Sequence, residues 1–91
     1  MAAIDFVGVH LWFELCSGER VIQTNIQERI LFFSNEQRMH EQIGRITNEL
    51  FEKGLAYNGK NVNRYYELVF EILDDACIRF ITKGERPKLV A

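Results

Sequence analysis

Proline occurs once in this chain, at Pro87, and cysteine twice, at Cys16 and Cys77. A single proline near the end excludes a proline-rich linker or a polyproline recognition segment. Two cysteines far apart, with no CxxC spacing, exclude a disulfide framework, which in so short a chain would need more. Two free thiols imply a reducing, cytoplasmic setting. Positive charge is also scarce. The net charge is −2, with no polybasic run, whereas general nucleic-acid binders carry a basic excess that neutralises phosphate. The acidic excess is in turn too small to imitate DNA. No apolar run approaches the ~18–20 residues of a membrane-spanning helix. The first residues, Met1 to Asp5, show neither a basic region nor a cleavage site of signal type. Nucleic acid and membrane are therefore not expected as partners.

Hydrophobic residues make up 47% of the 91 positions and charged residues 26%, which is the balance of an ordinary globular protein. Seven Phe, three Tyr and one Trp supply the bulk that disordered chains lack. The length fits one domain, 1–91, with a tail over 84–91 expected to fray.

Helical periodicity is clearest toward the C-terminus. From Arg64 the apolar positions Tyr65, Leu68, Val69, Ile72, Leu73, Ala76, Cys77 and Phe80 recur at helical spacing. Asn61 or Asn63 can cap this helix, Glu67, Glu71, Asp74 and Asp75 form its wet face, and Lys83 and Gly84 end it. A helix before it is marked by Met39, Ile43, Ile46 and Leu50, with Ser34 and Gln37 as a capping box and Gly54 as its stop. Asn58-Gly59 marks a turn between the two, so the helices are expected to be antiparallel neighbours.

The first third reads differently. Val7, Val9, Leu11, Phe13 and Leu15 alternate with Gly8, His10, Trp12 and Glu14, which is strand period. Cys16-Ser17-Gly18-Glu19 reads as a turn. Val21 to Ile26 then alternates again and would complete a hairpin. Ile22, Ile26, Ile30 and Phe33 also fit one helix face. The expected fold is thus α+β, an N-terminal β-hairpin packed on two antiparallel amphipathic helices, with an all-α bundle as the alternative. The run Ile30-Leu31-Phe32-Phe33 must be buried in either.

Residues able to carry chemistry do not converge. His10, His40, Cys16 and Cys77 lack the paired spacing of zinc ligands. Cys77, on the apolar side of the last helix, is expected to be buried and inert. Cys16, near a turn, is expected to be more exposed. Asp74 and Asp75 diverge by about 100° on a helix. The chain carries neither GxxxxGK[ST] nor GxGxxG. No catalytic residue, metal or cofactor is expected.

What stands out is apolar excess. Tyr66, Phe70, Ile78 and Ile81 widen the stripe of the last helix beyond the ~100° that a surface helix needs. Trp12 falls on the strand face opposite Val7 to Leu15, and Trp is over-represented in interfaces. These features point to a non-catalytic protein–protein interaction module that self-associates as a homo-oligomer. It would act as a small regulator, adaptor or inhibitor, with Trp12, Tyr66, Phe70 and Ile78 as partner contacts. A second reading is a binding protein for an anionic small molecule or nucleotide. It would use the 54–66 loop and a helix N-terminus, with Lys60, Arg64 and Tyr65 as contacts.

Overall fold

The computed structural model describes residues 3–52 and 64–90, without the side chains of residues 50–52. The fold is α+β. Its strands are β1 (Val7–Ser17), β2 (Arg20–Phe33) and β3 (Arg64–Ile72), and its helices are α1 (Glu36–Glu52) and α2 (Asp75–Thr82). The sheet is antiparallel with order β2-β1-β3, so the all-helical alternative does not hold.

The apolar alternation of β1 decides which face is buried. Val9, Leu11 and Phe13 point to one side and are 0%, 0% and 5% exposed. That side carries α1, whose Met39 and Ile43 close a core with Val9, Leu11 and Phe33. Each fully buried side chain of this kind contributes about 1.5–3 kcal/mol. The opposite side of β1 presents His10, Trp12 and Glu14, all partly exposed.

A two-residue turn joins β1 to β2, since Ser17 pairs with Arg20. Gly18 takes φ +61° there, a conformation that costs other residues a steric penalty. β2 has 14 residues against 11 in β1, and this excess of three matches the three register shifts along the pair. They are bulges, and Asn25 and Gln27 adopt positive φ in that stretch. The simple alternation expected for Val21 to Ile26 is therefore broken. Val21 (52% exposed) and Ile22 (46%) lie in the open. In the run expected to be buried, Phe32 and Phe33 are, Leu31 is partly so, and Ile30 stays 40% exposed.

The main correction concerns residues 64–83. The sequence reads there as one helix, but the chain forms β3 and then the short α2. The physical reason is composition. Tyr65, Tyr66, Val69, Phe70 and Ile72 are aromatic or β-branched, and such side chains lose rotamer freedom in a helix and fit a pleated surface. A segment so rich in apolar residues satisfies both periods, and the free edge of β1 selects period 2 by offering nine consecutive pairings. The apolar width that suggested a doubly covered helix is the pattern of a strand with Tyr66, Leu68, Phe70 and Ile72 on one face and Tyr65 and Val69 between Glu67 and Glu71 on the other. The second expected helix is accordingly shortened to α2, Asp75–Thr82.

α2 starts where the residues that favour strands end. The Asp74 carboxylate accepts a hydrogen bond from the Cys77 N–H at 2.8 Å, and the Lys83 N–H donates to the Arg79 carbonyl at 2.9 Å with Lys83 at φ 56°. Asp74 is therefore a cap and not part of a wet helix face. In α1 the cap is Asn35, whose Oδ1 accepts from the Arg38 N–H at 2.8 Å, one residue later than the expected Ser34. Gly54 as helix stop and the Asn58-Gly59 turn lie outside the described residues. The tail is held at two points: the Val90 N–H donates to the Phe32 carbonyl at 2.7 Å, and Arg86 pairs with Asp5 at 2.7 Å.

Candidate interaction surface

The face of the sheet away from α1 carries a group of mutually bonded polar side chains around His10. His10 sits on the central strand between two edges. Its Nδ1 lies 2.9 Å from Glu71 on β3 and its Nε2 lies 2.8 Å from Glu28 on β2. Asn25 donates to the same Glu28 carboxylate, and the Thr24 hydroxyl donates to Glu14 at 2.7 Å. The hydrogen bond to Glu71, then that to Glu28, raises the His10 pKa against partial desolvation, and His10 in turn holds the Glu28 carboxyl below its usual range. The Trp12 ring lies 4.6 Å from the imidazole, and its indole N–H is buried without an acceptor among the described residues. Both imidazole nitrogens thus have carboxylate partners, and the group acts as a clasp across three strands.

Toward the hairpin end Cys16 is buried, 3% exposed. Burial, followed by the Glu67 and Glu14 charges, pushes its thiol pKa up, and its Sγ lies 3.9 Å from Glu67. Cys77 is only half-buried on α2. The exposure expected of the two cysteines is thus reversed. Cys16 keeps the face of Trp12 and Glu14, where β1 pairs without a shift with Tyr65 and its Sγ lies beside Glu67, and Cys77 is half-buried on the short α2. Among the described residues no cluster of three or more His, Cys, Asp or Glu could hold a metal ion.

The residues expected to contact a partner separate into two groups. Tyr66 and Phe70 share the α1 side of β3, opposite Leu15 and Leu11 of β1. Phe70 is 38% exposed, and its ring stands edge-on to His40 at 6.4 Å. Trp12 is half-buried on the other face. Ile78 is a correction: it is 2% exposed, packs over Gly8, and belongs to the interior. On α2 it is Phe80 that lies open, 84% exposed. Its place on the expected apolar stripe hid that exposure.

The residues read as an anion site do not assemble as expected. Lys60 lies outside the described residues. Arg64 and Tyr65 open a strand, so the free N–H groups of a helix N-terminus are not there to meet an anion. The Tyr65 hydroxyl instead donates to the Gly18 carbonyl at 2.7 Å. No helix among the described residues is long and apolar enough to cross a membrane. No protein-family model, no curated protein and no solved structure matches this chain.

Proposed function

We propose that this chain is a non-catalytic protein–protein interaction module that self-associates and acts as a small regulator, adaptor or inhibitor of another protein. The observation that carries this reading is the set of large apolar side chains the fold leaves uncovered: Phe80 at 84%, Ile72 at 50%, Tyr65 at 41% and Phe70 at 38% exposure. Aromatic residues of this kind anchor interfaces, and a small number of them supplies most of the binding energy. The clustered polar groups point the same way, because His10, Glu28, Glu71, Thr24 and Glu14 bond to one another across strands. The two free cysteines support a cytoplasmic setting.

The test is solution mass by light scattering over a hundredfold concentration range. The expected outcome is a mass that rises from 10.7 kDa toward a multiple of it. A constant 10.7 kDa would remove self-association and leave only a different protein as partner.

A further inference from the structure

We infer that two copies of this chain join through the outer edge of β3 into a continuous six-stranded antiparallel sheet; this names the surface on which the self-association proposed above rests. Both outer strands expose an edge, but they differ. β2 is interrupted by three register shifts and by Asn25 and Gln27 at positive φ, and such bulges are devices that spoil edge-to-edge pairing. β3 pairs with β1 through nine residues without a shift, and no described element pairs with its other side.

The direction of its backbone groups is fixed. The Leu73 N–H donates to the Gly8 carbonyl. By alternation Glu71, Val69, Glu67 and Tyr65 turn their backbone groups toward β1, and Ile72, Phe70, Leu68 and Tyr66 turn theirs outward. The same outward residues carry their side chains on the α1 face. A twofold axis perpendicular to the sheet matches like faces and outward groups, so only shifts by even numbers of residues are allowed.

Charge selects one register. With the axis at Leu68 all nine residues pair: Leu68 meets Leu68 of the second copy, Tyr66 meets Phe70, Arg64 meets Ile72, Tyr65 meets Glu71 and Glu67 meets Val69. A slip of two residues one way sets Glu67 against Glu67 of the second copy. A slip of two the other way sets Glu67 against Glu71. Each places like charges directly opposite, which is destabilising. The axis at Leu68 is thus the longest pairing and, of the three longest registers, the one free of Glu–Glu contacts. It also sorts the seam by polarity, with Leu68, Tyr66 and Phe70 together on the helix side and the two glutamates on the other. On that face α1 closes the core over β1 and Phe33 of β2 and meets β3 where His40 stands edge-on to Phe70.

The experiment compares wild type, Val69→Glu and Val69→Lys by light scattering, with circular dichroism to confirm an unchanged fold. In the proposed register Val69 faces Glu67 of the second copy twice per dimer. Val69→Glu should weaken dimerisation by about tenfold and Val69→Lys should strengthen it by a similar factor. Leu68→Cys in a Cys77→Ser background adds a covalent readout. Its two copies would lie about 5.5 Å apart between Cα atoms, within disulfide range, and should oxidise to a reducible dimer. Phe70→Cys, about 13 Å from its counterpart, should not. A wild-type dimer that Val69→Glu leaves intact and Leu68→Cys fails to trap would overturn the β3 edge and leave self-association standing. A wild type that stays at 10.7 kDa throughout would overturn both.

Discussion

His10 and Glu71 stand directly opposite each other in the β1–β3 ladder, joined at 2.9 Å through the imidazole Nδ1. The other ring nitrogen meets Glu28 at 2.8 Å. An imidazole can donate from both nitrogens only when protonated, so this clasp works as a cation between two anions. The raised His10 pKa follows from the Glu71 and Glu28 hydrogen bonds. A raised folded-state pKa stabilises fully below the unfolded value of 6.5 and is lost as pH rises through the folded value. The depressed Glu28 carboxyl, held by His10, stabilises above its unfolded value of 4.5 and is lost as pH falls through its folded value. Both contributions are complete between these limits. Urea denaturation of wild type and His10→Gln should therefore differ most near pH 6 and converge at high pH. The side chains are partly exposed and screened by solvent, so the difference should be small. A gap that widens with rising pH would contradict the clasp.

Gly8 is placed by close packing rather than by backbone conformation. A Cβ there would lie 3.0 Å from Phe32 Cε1 and 3.1 Å from Ile78 Cγ1. Gly8→Ala should cost about 1–3 kcal/mol as an overpacked site, seen as a drop of roughly 4–8 °C in Tm per kcal/mol. Ile78→Ala also destabilises, but it opens the space that the new methyl needs. The double variant should be less destabilised than the two single losses added together. Strict additivity would mean that α2 does not press on Gly8.

Asp74 separates the two possible structures of residues 64–83. As the cap of α2 its carboxylate holds the Cys77 N–H at 2.8 Å. Asp74→Ala should then cost about 0.5–2 kcal/mol, and Asp74→Ser should recover most of it. Inside an uninterrupted helix the alanine would be neutral or stabilising, because alanine is the better helix former. Chemical denaturation of the two variants reads the sign directly.

The legible parts of this fold are those where one period dominates. The alternation of Val7 to Leu15 placed β1 and set Trp12 on the face away from the core. Met39 and Ile43, three and four apart from their apolar neighbours, placed α1. What was hidden has three causes. In 64–72 the apolar residues fit two periods, and only the edge of β1 decides between them. In β2 the bulges shift the faces, so that Ile26 follows Phe13 and Val21 follows Cys16, and nothing local in Gln23 or Asn25 announces this. The His10 clasp joins residues 18 and 61 positions apart, a convergence that only the strand order creates.

The cysteines offer a last check on the hairpin end of the sheet. Cys16 is 3% exposed, whereas Cys77 is half-buried on a short helix. The Cys16 thiol is also held protonated, first by burial and then by Glu67 and Glu14, and only the thiolate attacks an electrophile. Iodoacetamide at neutral pH should therefore modify Cys77 first and leave Cys16 until the chain unfolds. Peptide mapping by mass spectrometry assigns the order. Added denaturant should raise Cys16 labelling in step with loss of the circular dichroism signal, because the strand that buries it pairs on both sides, with Val21 and with Tyr65. Cys16 labelling ahead of Cys77 in the native state would mean that this end of the sheet opens locally. The pairing of Tyr65 with Cys16, which starts the β3 edge, would then be too weak to carry a second copy.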